Sequence, residues 1–252
     1  MSSTTQIEWT DATWNPVTGC TKVTRGCDHC YAERFSERFR GVPNHPFSSG
    51  FDLTLRPERL AQPLKWKQPR QIFVNSMSDL FHKSVPIAFV DAVFDTMGRG
   101  NWHTYQVLTK RSSLMMRYLR RRYGDQRAPR HIWVGVSIED AKNAVRLHHL
   151  QCAQATTKFV SFEPLLGSVG TVDLRGVDWA IVGGESGPGA RPMAEEWAIE
   201  IRDLCRSAGV AFFFKQWGGY RPKSGGRLLR GREWNQYPRI RNESVSPLIA
   251  AE

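Results

Sequence analysis

The chain has 252 residues, 40% of them hydrophobic with nine Trp and thirteen Phe, which is enough for the core of one large domain or two small ones and excludes a disordered chain. Lys and Arg total 35 against 24 Asp and Glu, a net charge of +11 that favours a polyanionic partner, nucleic acid first, over a small neutral one. There is no apolar run of about eighteen residues, and the start "MSSTTQIEWTD" has neither the basic nor the apolar part of a signal peptide, so no membrane association and a cytoplasmic location are expected.

The first β-rich run is "TWNPV" at 13–17. Close behind it, "GCTKVTRGCDHCY" places Cys20, Cys27 and Cys30 with six and two residues between them. In a reducing compartment such a cluster argues for metal or catalysis rather than a disulfide framework, and Cys152 and Cys205 read as ordinary buried thiols. An amphipathic helix follows over 29–39, with Tyr31, Phe35 and Phe39 four apart. The strand "QIFVN" at 71–75 runs into Ser76-Met77-Ser78-Asp79, and a helix over 86–97 has Pro86 in its first turn and Ile87, Val90, Phe94 and Met97 on one face. Further strands are expected at 104–108, 131–136, 158–162, 178–183 and 210–214. Basic residues are dense in "RYLRRRYGDQRAPR" at 117–130. They alternate with aromatics in 221–241, where Gly225-Gly226 reads as the turn of a basic hairpin carrying Arg221, Arg227 and Arg230.

About seven alternations of strand and helix define the α/β class and a parallel sheet, either doubly wound or a (β/α) barrel. Nearly every strand ends in polar residues: Ser78-Asp79, Thr109-Lys110, Ser137, Glu163, Glu185 and Lys215-Gln216-Trp217. A barrel builds its site from such ends, whereas an open sheet needs them only at its switch point. The expected architecture is therefore a partial (β/α) TIM-type barrel of six to seven parallel strands over 1–217, a basic DNA-binding extension over 218–241 and a flexible tail over 242–252.

Three cysteines fall one short of a structural zinc site, which His29 or a distant residue would have to complete. A three-thiolate set more naturally holds a four-iron, four-sulfur (4Fe-4S) cluster with one open iron, a site able to chelate the amino and carboxylate groups of S-adenosylmethionine. The motif, its place on the first strand-to-helix loop and the partial barrel resemble the radical S-adenosylmethionine superfamily, although the commonest spacing there is Cys-x3-Cys-x2-Cys. Within it, "TGCTKVTRGCDHCYAE", "SMSDLF", "VLTKR", "GVSIED", "SFEPLLG", "VGGESG" and "FFKQWG" resemble a short spore photoproduct lyase-like family of phages and actinobacteria over about residues 6–220.

The resemblance implies that Cys20, Cys27 and Cys30 ligate the cluster and that Ser78, Asp79, Lys110 and Ser137 contact S-adenosylmethionine, Lys110 through the methionine carboxylate. It also places two departures. Ser76 stands where the lyases carry a cysteine that returns a hydrogen atom to the product radical, and His29 stands where they carry the first of two tyrosines flanking the cluster. Tyr31 matches the second tyrosine and becomes the leading hydrogen donor, with packing as its alternative role.

Glu163 and Glu185 are assigned to the substrate side of the barrel mouth, or else to ion pairs with Lys215 and Arg191. Lys215, Gln216 and Trp217 suit a flipped-out pyrimidine pair, or equally the closing of a core. The expected function is a radical lyase that reverses a pyrimidine photoproduct in ultraviolet-damaged DNA with an electron donor of the flavodoxin or ferredoxin type. A radical enzyme acting on RNA or a protein, and a zinc-containing nucleic-acid-binding protein, stand as alternatives.

Overall fold

Seven β-rich stretches form β1 (Ala12–Trp14), β2 (Gln71–Val74), β3 (Thr104–Thr109), β4 (Ala128–Ser137), β5 (Ala155–Phe162), β6 (Trp179–Gly183) and β7 (Ala211–Gln216) in a computed structural model that describes Thr5, residues 7–221 and residues 223–238. They make one all-parallel sheet in chain order, β1 to β7, curled into a half-barrel. Helices α1 (Tyr31–Glu37), α2 (Ile87–Arg99), α3 (Ser112–Tyr123), α4 (Val145–Gln151) and α5 (Glu195–Ala208) lie in the connections. The partial-barrel expectation holds, with seven strands. Among the described residues no helix is long and apolar enough to cross a membrane.

The period of two divides each strand between two cores. Outward residues such as Ile72, Val107, Val134, Val160, Val182 and Phe214 pack beneath the helices. Inward residues Phe73, Trp133, Phe159, Trp179, Ile181 and Phe213 fill the barrel with Trp9. Gly135 shares this inward parity because the Phe159 ring occupies its place: a Cβ there would lie 2.5 Å from the ring. The same parity brings Lys110, Ser137, Glu163 and Lys215 to the inner rim at the carboxyl ends of their strands.

Several elements differ from the sequence reading. The run 13–17 breaks at Asn15-Pro16, since proline cannot donate to a ladder; Val17–Thr18 instead pairs antiparallel with Thr54–Leu55. Helix α1 buries only Ala32 and Ser36, leaving Tyr31 and Phe35 exposed, and Ile87 at the head of α2 is exposed as well. Cys152 is exposed, not buried, while burial pushes the Cys205 thiol up to about 12.

Residues 218–238 do not form a free appendage. Gly225 and Gly226 end a turn over 223–226, with the Gly226 amide donating to the Lys223 carbonyl at 3.0 Å and the two glycines pairing back to Gly218 and Trp217; a second tight turn follows at Arg230-Gly231, both at positive φ, between the bridged pair Leu229 and Arg232. Beyond it the chain runs antiparallel to β7 through the Phe213–Asn235 bridge, and Tyr237 stacks on Trp179 at 5.2 Å while donating to the Glu8 carbonyl. The open side of the half-barrel is thus sealed by segments from both parts of the chain. Residues 239–241 and the expected tail at 242–252 lie outside the described residues.

Candidate active site at the barrel mouth

The cysteine loop leaves β1 and lies across the strand ends. It starts at Gly19, which bridges Ser78 in parallel pairing at a φ of +80° that suits glycine. Cys27 closes a 3-10 turn (Arg25–Cys27), and Cys30 is the N-cap of α1. All three cysteines are half-buried free thiols, and burial pushes the thiols of Cys20 and Cys30 upward.

Three charged clusters tether this loop to the barrel. From β2, buried Asp79 accepts from Thr109 Oγ1 at 2.7 Å, the Lys110 amide at 3.1 Å and Arg111 at 3.0 Å. Arg111 in turn donates to the Cys20 sulfur at 3.3 Å and to the Thr21 carbonyl at 3.0 Å. Beyond β4, Glu139 has no exposed surface and binds Lys110 at 2.7 Å, Arg146 at 2.9 Å and the Thr24 hydroxyl at 2.9 Å. Its side chain packs so closely on Gly26 that a Cβ there would fall 2.5 Å from it. Burial alone would raise the Glu139 carboxyl, but Lys110 and Arg146 outweigh it and hold it below the usual carboxylate range.

From β6, Glu185 meets His29 Nδ1 at 2.9 Å and takes a fork from Arg191, whose guanidinium also reaches the Arg25 carbonyl at 2.8 Å and Asp28 at 3.3 Å. Burial raises this carboxyl too, yet the bonds from Arg191 and His29 bring it down to about 2. Arg34 on α1 adds a fourth tie, donating to the Ser186 and Pro188 carbonyls at 3.0 and 2.9 Å.

The expected site residues separate accordingly. Tyr31 donates its hydroxyl to the Ser76 carbonyl, so the two positions weighed for hydrogen return are in contact. The Ser76 hydroxyl itself is bonded to Asn15 at 3.1 Å. Ser78 donates to the Val17 carbonyl at 2.8 Å, which joins two loops. Ser137 is buried, its carbonyl accepting from Arg146 at 2.7 Å. Glu163 and Glu185 both take the ion-pair alternative, with Lys215 at 2.5 Å and with Arg191.

Gln216 bonds Ser186 at 2.6 Å, and Trp217 donates to the Leu228 carbonyl at 2.9 Å while meeting Phe214 edge-on, which is the core-closing role. Arg227 lies over the Phe213 ring and bonds Asn235, and Arg230 pairs with Glu195 at 3.0 Å; Arg221 is exposed. Sequence reading missed Arg111, Glu139, Arg146 and Arg34. Two of them, Arg111 and Glu139, stand inside motifs already singled out, "VLTKR" and "GVSIED", and the charged residue just past each strand end was the available signal.

Among the described residues no three His, Cys, Asp or Glu side chains are placed to hold a metal ion. By donor chemistry the loop fits a thiolate-ligated group nonetheless: three free soft donors on one tethered segment, and Arg111 already directing positive charge at one sulfur. No curated protein and no solved structure matches the chain. A family described as "Protein of unknown function (DUF5131)" matches residues 4–238, nearly the whole sequence, and the chain belongs to that family.

Proposed function

We propose that the chain is a cytoplasmic radical S-adenosylmethionine lyase that reverses pyrimidine photoproducts in ultraviolet-damaged DNA. The observation that carries this reading is the placement of three free cysteines on the loop after β1, tethered by charged clusters from three strand ends at the mouth of a partial barrel. Cys20, Cys27 and Cys30 would hold a 4Fe-4S cluster, with Lys110 and Ser137 on the inner rim beside the cofactor. Such a cluster, once reduced by the flavodoxin- or ferredoxin-type donor, would supply the single electron for reductive cleavage of S-adenosylmethionine.

The chain's own residues would do the rest. Asp79 and Glu139 fix the cations around the mouth, and Trp133, Phe159, Trp179 and Phe213 beneath it keep water from the floor. Tyr31, held on Ser76, would return a hydrogen atom from its hydroxyl to the product radical. The phenoxyl left behind would be restored by one electron from a flavodoxin- or ferredoxin-type donor and one proton. A radical enzyme with a different substrate is favoured by one observation, the Ser76 hydroxyl engaged by Asn15 where a thiol donor would be needed.

The test is anaerobic reconstitution with iron and sulfide, followed by incubation with S-adenosylmethionine, dithionite and irradiated DNA and analysis of the nucleosides. A brown protein that releases 5′-deoxyadenosine and removes the lesion is expected. Cys27→Ala should lose both activities, and Tyr31→Phe should release more 5′-deoxyadenosine per lesion removed. A colourless protein that takes up zinc and leaves the cofactor intact overturns the reading.

A further inference from the structure

Helix α1 turns its aromatic side chains away from the sheet. Tyr31 is 55% and Phe35 44% exposed, while the residues buried beneath them are small, Ala32 and Ser36. The Phe35 ring meets Phe39 at 5.3 Å and Phe47 at 5.5 Å, and His45 lies flat against Phe39 at 3.8 Å. These five residues form one aromatic surface on α1 and the excursion that follows it. Its inner end is at the mouth, where Tyr31 is bonded to Ser76, and the helical step from Tyr31 to Phe35 carries it outward by about 6 Å.

We propose that this face is a stacking platform for unpaired bases of the DNA strand next to the nucleotides drawn into the mouth. The inference rests on the DNA reading above and extends it from the reacting nucleotides to their neighbours. A strand whose bases have left the duplex needs new partners for their flat faces, and aromatic rings accept any base. Phe35 and Tyr31 offer such rings within one helical turn of each other. Charge favours this occupant over a second copy of the chain: a dimer across the face would bring two chains of +11 together, whereas a nucleic acid strand meets exposed Arg25 and Arg38 with its phosphates.

Binding of an undamaged twelve-nucleotide single strand carrying 2-aminopurine, measured by anisotropy and by quenching of the base, tests the inference without cofactor or reductant. Phe35→Ala should weaken binding roughly tenfold and relieve the quenching, with the slope of affinity against salt unchanged because no phosphate contact is lost. Phe35→Trp should bind at least as tightly as the parent chain. Phe35→Leu, which keeps the apolar area without a ring, should behave like Phe35→Ala and so separates stacking from loosening of the excursion. Unchanged affinity and quenching in Phe35→Ala overturn this inference alone. A parent chain that does not bind the strand overturns the DNA reading with it, and a dimer that Phe35→Ala dissociates in sedimentation assigns the face to a second copy instead.

Discussion

Glu139 has no exposed surface and sits between Lys110 and Arg146, so its charge is compensated only inside the protein. Glu139→Gln would leave buried Arg146 and half-buried Lys110 facing a neutral amide, and a loss of about 3 kcal/mol in urea unfolding is expected, as for other broken buried pairs. A loss below about 1 kcal/mol would mean that the two cations find other partners. Glu185 gives a pH signature. Its carboxyl is held at about 2 in the folded chain, below the ordinary unfolded value of about 4.3. Its contribution is therefore complete above the unfolded value and is lost as pH falls through the folded one. The stability difference between the parent chain and Glu185→Gln should shrink steadily from about pH 5 towards pH 2; a constant difference would assign the stabilisation to packing.

Within the sheet, the strictest demand falls on β4, where Gly135 yields its inward space to the Phe159 ring of β5. Gly135→Ala places a methyl group 2.5 Å from that ring, and a destabilisation of about 1–3 kcal/mol is expected from overpacking, read as a lower urea midpoint with unchanged slope. Phe159→Leu in the same chain should recover part of it. The strands were legible in the sequence because alternating apolar residues and polar strand ends are local signals. The side to which α1 turns its aromatic stripe was not. A spacing of four defines a face but not what lies opposite, and here small Ala32 and Ser36 occupy the buried side. The ion pairs of Glu163 and Glu185 were visible as alternatives, yet choosing between a substrate-facing and a paired carboxylate depends on strands brought together only by folding. Arg111 and Glu139 went unnoticed for the same reason: Arg111 meets Cys20 across 91 positions of sequence.

At the scale of the whole molecule, the surplus of eleven positive charges is unevenly available to a polyanion. Arg121 and Arg122 are paired with Asp91 and Asp95, Arg230 with Glu195, and Arg227 is folded over Phe213. Arg221→Ala should thus lower the slope of log affinity against log salt by about 0.7–0.9, the value for one phosphate contact, while Arg230→Ala leaves the slope within error. Equal slopes in all three proteins would leave the phosphates to other exposed cations, first to Arg25 and Arg38. The seal across the open side of the barrel bears on how the chain is made. A ribosome delivers Trp9 more than two hundred residues before Tyr237, yet both pack on Trp179. A nascent chain halted after β7 would own every strand of the sheet while leaving the β7 edge unpaired and Trp179 without its Tyr237 cover, a sticky intermediate that persists until residues 235–237 are made and reach the barrel. Synthesis of this protein should therefore lean on chaperones that shield late-closing edges, and its yield should respond to translation rate over codons 223–238, which encode the closing segment, more than over the stretches that encode β1 to β7.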